Sequence, residues 1–209
     1  MTAILVTGTG TEVGKTWAGT RLLAGLQRRG IEVRARKPAQ SFAPAELGGT
    51  DAELLAAVTG EDPHTVCPAS RWYEVAMAPC MAADVLGRPR ISVAELAAEI
   101  GEMPSGGVTL VEGAGGPRSP LAHDGDTIDL ARAVGIGRAV LVADAGLGTI
   151  NAVRLSVDAL AGFDTIVFLN RHDPNDDLHR RNREWLAAAG YAVCTTPPEL
   201  VDAVSSRLP

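Results

Sequence analysis

Short runs of apolar residues alternate along this chain with longer segments in which apolar positions recur every three or four residues. The runs have the length of buried strands, and the longer period is typical of amphipathic helices. Strands that alternate with helices indicate a parallel sheet covered by helices on both faces. The predicted strands are 3–6, 31–36 (less buried, because it alternates), 108–111, 139–143, 165–169 and 192–194.

Helices are predicted where apolar positions lie on one face and a helix signal stands at an end. In the first helix Ala18 and Leu22 fall four residues apart, and Gly30 stands where the helix should end. Pro63 and Pro68 predict irregular chain. The other helices are expected from Thr50 through Leu55, over 77–86, from a capping box at 92–95 to about 104–107, over 127–134, from a cap at Thr149 to 161, over 178–186, and after 198.

The composition is that of a globular protein and argues against several classes. The 209 residues are 46% hydrophobic, which is enough for a sizeable core and too much for a disordered chain. A net charge of -6 argues against a nucleic-acid-binding surface, because that needs a clustered basic excess. Since no repeat, linker or low-complexity segment interrupts the pattern, residues 1–209 are expected to form a single α/β domain.

The location of the protein is predicted from its termini and its cysteines. No basic and apolar signal region opens the chain and no apolar run could span a membrane, so no membrane partner is expected. Cys67, Cys80 and Cys194 are scattered and lack the spacing of metal ligands. This pattern is typical of a reduced, cytoplasmic protein with buried thiols.

A segment near the start of the chain has the sequence of a phosphate-binding loop. The strand 3–6 leads into a loop of glycine and threonine, and Gly14-Lys15-Thr16 opens the first helix. N–H groups at a helix start favour an anion, Lys15 adds a positive charge, and the hydroxyl of Thr16 suits Mg²⁺. Five residues separate Gly8 from Gly14 where the usual loop has four, so a chance glycine-rich turn is the alternative.

Polar residues follow the predicted strands at the points where they end. Ligands bind at this edge of open parallel sheets, so these residues are expected to converge on the loop. Each alone could simply mark where a strand leaves for solvent, but together they bring a cation, a carboxylate and an amide to one place. The residues in question are Gly8, Lys37, Glu112, Asp144, Asn170, Thr195 and Thr196.

A magnesium site at such a loop needs a carboxylate in addition to the hydroxyl of Thr16. Glu112 is the best candidate, because it ends a buried strand and the small residues 113–116 after it permit close approach of a ligand. Asp51 is the second candidate, although it could instead be an acidic residue in the first turn of a helix. The predicted metal ligands are therefore Thr16, Asp51 and Glu112.

Several motifs together resemble the dethiobiotin synthetase family of P-loop enzymes, in which the additional loop residue is typical. The resemblance covers residues 3 to about 170 and implies a three-layer α/β fold, P-loop NTPase-like, with a mainly parallel central sheet and helices on both faces. The motifs are Val6 to Thr16, Lys37-Pro38, Thr50 to Ala52, Val111 to Gly116 with Pro120-Leu121, and Gly146 to Asn151.

The resemblance also implies a reaction in biotin biosynthesis. ATP, Mg²⁺, CO₂ and 7,8-diaminononanoate would give dethiobiotin, ADP and phosphate. One amine would capture CO₂ as a carbamate, the carbamate would take the γ-phosphoryl group of ATP, and the second amine would close the ring. No protein nucleophile is required, and the sequence offers no Ser-His-Asp or Cys-His arrangement near the loop.

Residues that match the family motifs take their expected roles from it. Lys15, Lys37 and Thr11 are the expected catalytic residues, the lysines because they would stabilise charge on the phosphoryl group and the carbamate. A substrate tail that reaches the neighbouring subunit implies a homodimer. The expected substrate-binding residues are Thr11, Lys37, Ser41, Pro117, Leu147, Gly148 and Asn151. The expected nucleotide-binding residues are Gly8, Thr9, Gly10, Glu12, Val13, Gly14, Lys15, Thr16, Trp17, Glu112, Gly115, Asn170, Thr195, Thr196 and Pro197.

Three other functions share parts of this pattern. A partition-type ATPase would carry an additional lysine early in the loop, and residues 7–13 contain none. A cobyrinate-type amidotransferase would need a glutaminase domain, for which the chain has no room. A nucleotide-binding regulator, or a relative acting on a different small-molecule acid, stays open because Phe42 and Pro117 depart from the family pattern.

Overall fold

The structure, a computed structural model, describes residues 2–43, 48–101 and 106–208. Every strand pair in its main sheet is parallel, so the carboxyl ends of the paired strands lie at one edge. The strands are β1 (Thr2–Gly8), β2 (Val33–Arg36), β3 (Gln40–Ser41), β4 (Trp72–Tyr73), β5 (Val108–Glu112), β6 (Arg138–Asp144), β7 (Asp164–Asn170) and β8 (Ala192–Cys194).

The strand that leads into the phosphate loop lies inside the six-stranded sheet, whose order is β2-β5-β1-β6-β7-β8. β1 pairs with β5 on one side and with β6 on the other, where Gly8 lies opposite Val142. The predicted parallel sheet is therefore confirmed. β3 and β4 form a separate parallel pair that the sequence pattern did not predict, because two residues are too few to show a period.

Helices follow most of the strands and cover both faces of the sheet. A 3₁₀ turn at Ala69–Arg71 precedes β4. The α-helices are α1 (Lys15–Arg28), α2 (Asp51–Thr59), α3 (Pro63–Val66), α4 (Pro79–Val85), α5 (Val93–Ile100), α6 (Thr127–Ala133), α7 (Thr149–Ala159), α8 (Asp177–Ala188) and α9 (Pro197–Ser205).

The core consists of two apolar layers, one on each side of the main sheet. Ile4 and Val6 of β1 pack with Leu22 and other residues of α1, α2 and α9. Leu5, the residue between them, packs in the other layer with residues of α4 to α8. Successive side chains of a strand point to opposite faces, so a strand that is buried on both sides reads as an unbroken apolar run. The predicted three-layer fold is confirmed.

Two details of the helix predictions were wrong. Thr149 does not cap α7 but is its first residue, and the cap is Gly148, whose left-handed conformation (φ 91°) glycine adopts without strain. Pro63 does not mark irregular chain but opens the short helix α3, where its missing N–H leaves no bond unmade. Asp62 caps this helix by accepting a hydrogen bond from the N–H of His64 at 2.8 Å.

Other predicted boundaries shift by a few residues. The capping box at Ser92 and Glu95 is present, but its helix ends at Ile100 before Gly101 rather than near 104–107. Residues 102–105 lie outside the described part of the chain. The helix predicted over 77–86 begins at Pro79, two residues late. In the described ranges, no helix has the length and apolar character that crossing a membrane would require.

Candidate functional site

The phosphate loop joins β1 to α1 and depends on two glycines. A Cβ atom at Gly8 would lie 2.6 Å from Cγ2 of Val13 and 2.8 Å from the carbonyl oxygen of Gly10, so the loop closes only on glycine. Gly14 is left-handed (φ 91°), and a Cβ there would overlap the side-chain amide of Asn170. No side chain caps the start of α1, which leaves the first N–H groups of the helix available to an anion.

The side chains of Thr16, Asp51 and Glu112 meet beside the loop. The hydroxyl of Thr16 donates to Oδ1 of Asp51 at 2.6 Å and lies 2.9 Å from Oε1 of Glu112. Glu112 comes from the end of β5, the neighbour of β1, and Asp51 is the first residue of α2. Asp51 is therefore both an acidic residue in the first turn of a helix and a member of this cluster, so the two interpretations of Asp51 from the sequence do not exclude each other.

Lys37 lies between the two carboxylates. Its ammonium is 2.6 Å from Oδ2 of Asp51 and 2.6 Å from Oε1 of Glu112, and it donates to the carbonyl of Gly113 at 3.3 Å. Lys37 is only 2% exposed and Glu112 is completely buried. Burial alone would lower the pKa of Lys37, but the charges of Asp51 and Glu112 outweigh it and raise that pKa above its usual value.

The pKa values of the two carboxyl groups in this cluster are shifted in opposite directions. Burial raises the pKa of Asp51, but Lys37 and the hydrogen bond from Thr16 outweigh burial and bring this pKa down to about 2. Burial raises the pKa of Glu112, and the nearby charge of Asp51 adds to that rise while Lys37 opposes it. Asp51 is thus the more acidic member of the pair, and the charge of Lys37 limits the rise in the pKa of Glu112.

Lys15 completes the group of charged residues. Its ammonium donates to the carbonyl of Gly10 at 3.2 Å and is largely buried. Burial lowers the pKa of Lys15, and the positive charge of Lys37 lowers it further. Lys15, Thr16 and Lys37 all line the same cavity, together with Asp51. The five residues Lys15, Thr16, Lys37, Asp51 and Glu112 are called the phosphate cluster below.

The phosphate cluster has the donor set of a Mg²⁺ site. Two carboxylates and a hydroxyl are the hard oxygen ligands that Mg²⁺ prefers. Oε2 of Glu112 is buried and has no hydrogen-bond partner, which is an orphaned acceptor of the kind that a cation would satisfy. Within residues 2–43, 48–101 and 106–208, no group of three or more His, Cys, Asp or Glu side chains offers another metal site.

A larger cavity of about 1190 Å³ opens from the phosphate cluster. Thr11, Glu12 and Gly115 line it, as do Ser41 and Phe42. The hydroxyl of Ser41 donates to the carbonyl of Met77 in this structure, so it is engaged within the wall of the cavity. The ring of Phe42 meets Trp72 edge to face with centroids 6.1 Å apart, which fixes an aromatic side chain in the cavity wall.

A smaller cavity of about 440 Å³ lies on the other side of the loop. Trp17 stacks on Phe168 with ring centroids 6.3 Å apart and planes inclined by 22°. Asn170 and Thr195, at the ends of β7 and β8, also line this cavity. The volume and the flat aromatic wall suit a planar ring next to the phosphate loop.

Several residues predicted for nucleotide binding line neither cavity. The N–H of Thr9 is taken by the carbonyl of Val142 at 2.9 Å. Gly8 is required for the close approach of the loop to Val13, and the carbonyl of Gly10 accepts a hydrogen bond from Lys15 at 3.2 Å. Thr196 caps α9 by accepting a hydrogen bond from the N–H of Glu199, and Pro197 is the first residue of that helix. Neither residue lines the smaller cavity, whose wall includes Thr195.

Four residues predicted for substrate binding do not meet the rest of the site within one chain. Pro117 is buried and does not line the larger cavity. Leu147 is 91% exposed, and Gly148 and Asn151 are exposed beside it at the start of α7. These three residues lie at the start of α7, which follows β6, and they are absent from the lining of both cavities.

The structure adds residues that the sequence did not single out. Phe168, Arg171 and His172 line the smaller cavity, and Arg171 lines the larger cavity as well. Gln40 is buried at the wall of the larger cavity, where its Oε1 accepts from the N–H of Ala52 at 3.0 Å and its Nε2 has no partner. The rule that ligands gather at strand ends could have found Arg171, which directly follows β7, and Gln40, three residues after Lys37.

A family model with the description "AAA domain" matches residues 2–177. Among curated proteins, the chain is 35% identical to the ATP-dependent dethiobiotin synthetase BioD of Haloferax mediterranei, over 92% of this chain and 82% of that protein. It is 38% identical to the protein of the same name in Anaeromyxobacter sp. strain Fw109-5, over 85% of this chain and 80% of the relative. It is 37% identical to the protein of the same name in Caulobacter sp. strain K31, over 77% of this chain and 70% of that protein.

Solved structures with low sequence identity share the fold. A Borrelia burgdorferi protein assigned to plasmid partition and bound to AMPPNP superposes with a TM-score of 0.59 at 9% identity, over 99% of both chains. The chloroplast FtsY of Physcomitrella patens gives a TM-score of 0.55 at 17% identity, over 97% of this chain and 65% of that one. At these identities the likeness supports the P-loop NTPase-like fold and nothing finer.

Proposed function

Because this chain belongs to the ATP-dependent dethiobiotin synthetase family, we propose that it is a dethiobiotin synthase. It would use ATP to carboxylate 7,8-diaminononanoate with CO₂ and to close the ring, releasing dethiobiotin, ADP and phosphate. The observation that carries the proposal is the phosphate cluster, in which Lys15 and Lys37 lie with Asp51 and Glu112 at one edge of the sheet and share a cavity wall. The hypothesis of a nucleotide-binding regulator is not favoured, since the curated relatives that match most of this chain are named as synthetases.

Positive charge at this edge suits the chemistry. The carbamate and the transferred phosphoryl group both carry negative charge, which a preorganised ammonium stabilises best where water is excluded. Lys15, the first residue of α1, is assigned to the phosphoryl group, and Lys37, which lines the same cavity, is assigned to the same charge. No protein nucleophile takes part, because the substrate supplies both amines.

Thr16, Asp51 and Glu112 are the residues proposed to hold Mg²⁺, whose charge would neutralise the phosphate oxygens when it is bound. Lys37 contacts both carboxylates at 2.6 Å, in the space that such a cation would need. Lys37 would therefore leave these oxygens as the ligands assemble and turn its ammonium towards the substrate. Its flexible four-carbon chain permits this movement.

The two cavities divide the substrates between them. The larger cavity, with Thr11 and Ser41 in its wall, is assigned to the diamine and its carbamate. The smaller cavity is assigned to the adenine ring, with Trp17 as a flat contact and Asn170 as a polar contact beside Thr195. Pro117, Leu147, Gly148 and Asn151 are proposed to hold the distal carboxylate across a homodimer, since a helix start with free N–H groups attracts an anion.

Two further parts of the proposal concern the whole chain. We propose that residues 1–209 form one domain, because α1 to α9 all pack around one sheet or its short companion pair. We also propose a cytoplasmic location, supported by three free, buried cysteines at positions 67, 80 and 194. Light scattering during size-exclusion chromatography measures whether the chain is a dimer.

The test of the activity is phosphate release from ATP. Release should require both diaminononanoate and bicarbonate, and mass spectrometry should detect dethiobiotin in proportion to the phosphate. Omitting each component in turn separates the synthase from an ATPase, and added EDTA tests the metal requirement. Phosphate release that does not depend on the diamine would contradict the proposal.

A further inference from the structure

Two consecutive residues after β7 hold two consecutive carbonyls of the phosphate loop. The side-chain amide of Asn170 donates to the carbonyl of Val13 at 2.9 Å. The guanidinium of Arg171 donates through Nη2 to the carbonyl of Glu12 at 2.8 Å. These bonds join residues that are 157 and 159 positions apart in sequence, so they tie the loop to a different part of the sheet.

The loop carbonyl that Arg171 holds belongs to a residue with unusual backbone geometry. Glu12 (φ 60°) and Arg171 (φ 57°) are the only residues other than glycine with positive φ in the described ranges. A side chain with a Cβ adopts the left-handed conformation at a cost in free energy, and such residues persist where their surroundings hold them. The two strained residues are joined by the hydrogen bond from the Arg171 side chain to the Glu12 carbonyl, so each helps to hold the backbone conformation of the other.

The turn at Glu12 has the alternating signs of φ that occur in anion-binding loops. Glu12 and Gly14 are both left-handed, while Val13 between them is not. Alternation of left- and right-handed residues points successive backbone N–H groups into one concavity, where an anion binds. Because Arg171 donates a hydrogen bond to its carbonyl, Glu12 keeps the turn in this form.

Arg171 is itself held in place from β6, the neighbouring strand. Its Nη1 lies 3.1 Å from Oδ2 of Asp144, and Oδ1 of Asp144 accepts the N–H of Gly146 at 2.8 Å. Asp144 lies opposite Asn170 in the register of the two strands. Arg171 thus spans from a fixed carboxylate at the end of β6 to the phosphate loop, and it lines both cavities.

We propose that Arg171 is a positioning residue, anchored by Asp144, that keeps the phosphate loop at Glu12 in the conformation that binds the nucleotide triphosphate. It acts through the loop, so its removal weakens nucleotide binding while the transfer step keeps its rate. The inference rests on the proposed function only in taking ATP as the nucleotide.

The chain contains a matched control at the opposite end of the same two strands. Arg138 opens β6 and Asp164 opens β7, and their side chains pair at 3.1 Å, the same separation as in the pair of Arg171 with Asp144. Arg138 is less exposed than Arg171, at 20% against 60%, and its partner Asp164 also lies 3.7 Å from Arg207. Arg138→Ala still removes an arginine–aspartate pair between the same two strands, at the end away from the loop, and partly exposed pairs contribute little to folding stability.

The experiment compares the full-length protein with Arg171→Ala, Arg171→Lys and Arg138→Ala. For Arg171→Ala the KM for ATP and the Kd for ATP measured by calorimetry without diamine should both rise about tenfold, with kcat within about twofold. Arg171→Lys should recover part of the affinity, because one ammonium can reach only one of the two partners at a time. Arg138→Ala should bind ATP like the unaltered protein.

Amide hydrogen exchange of residues 9–14 without nucleotide separates positioning from direct contact. Faster exchange in Arg171→Ala than in Arg138→Ala supports positioning. Unchanged exchange with weakened binding overturns it, because Arg171 would then act on the nucleotide itself. An unchanged Kd in Arg171→Ala, or an equal change in Arg138→Ala, also overturns it. Since binding is measured without the diamine, a protein that binds ATP but makes no dethiobiotin contradicts only the proposed function.

Discussion

The phosphate cluster and the smaller cavity meet at one loop and are built in opposite ways. In the phosphate cluster buried charges touch each other, as Lys37 does with Asp51 and Glu112. The smaller cavity has an open aromatic wall, and Trp17 in it is 43% exposed. Removing one partner of a buried ion pair leaves an uncompensated charge, whereas trimming an aromatic wall removes only contact area. The first region should therefore respond steeply to single changes and the second only gradually.

The largest effect is expected for Lys37→Ala. Turnover should fall by about a hundredfold or more, because the charge proposed to stabilise the carbamate and phosphoryl group is lost. The free energy of unfolding without Mg²⁺ should also fall by about 3–5 kcal/mol, since Asp51 and Glu112 would face each other unpaired. Steady-state assays and urea denaturation measure the two effects. Arg36→Ala, which removes the neighbouring cation paired with Glu61, is the control and should keep its turnover.

The next effect is expected for Glu112→Gln, which keeps the shape of the side chain and removes its charge. The Mg²⁺ concentration for half-maximal activity should rise about tenfold or more, because a neutral amide is a poor Mg²⁺ ligand. A titration of activity with Mg²⁺ at saturating ATP gives this concentration directly. An unaltered titration curve would remove Glu112 from the proposed metal site.

A smaller effect is expected at the aromatic wall. Trp17→Ala should raise the KM for ATP by about three- to tenfold with little change in kcat, because stacking area is lost on the ring of the nucleotide. Trp185→Ala is a close control, since Trp185 is 44% exposed and Trp17 is 43% exposed. Each ring also lies near an arginine, Trp17 near Arg21 and Trp185 near Arg154. Equal effects of the two substitutions would contradict the assignment of the smaller cavity.

The smallest effect concerns acid stability. The pKa of Asp51 is about 2 in the folded protein, below its ordinary value of 3.8, so its stabilising charge is fully present above about pH 4. That contribution to the free energy of unfolding should be lost as the pH falls from about 4 towards 2. The loss should be only about 1 kcal/mol, because 40% of the side chain is exposed and solvent screens its charge. Asp51→Asn should lose this part of the pH dependence of unfolding, measured by denaturation at successive pH values. An unchanged slope in this range would contradict the pairing with Lys37.

Much of the fold followed from local pattern. The apolar run of β1, the glycines of the loop and the period of α1 are each visible within a few residues, and the structure has all three. The less regular parts were missed for the same reason. α3 spans four residues and β3 two, which is too short for a period, and a proline that opens a helix looks like one that breaks it.

The sequence predicted which residues belong to the candidate site better than it predicted which of them touch. Lys37, Glu112 and Asn170 could be named because polar residues at strand ends must gather at one edge of a parallel sheet. That Ser41 would donate a hydrogen bond to Met77, or that Leu147 before α7 would be exposed, depends on tertiary packing that no local pattern records. Arg171 went unnoticed because a charged residue after a strand usually signals only the exit to solvent.

The sequence by itself determined the alternation of strands and helices, the phosphate loop and the set of polar residues at the strand ends, because each depends on residues close together in the chain. Only the tertiary structure decided which of them touch. Lys37 reaches Glu112 across 75 positions, and Arg171 reaches Glu12 across 159. These contacts depend on the order of the strands in the sheet, which places β5 and β6 on either side of β1 and is set by the packing of the whole core.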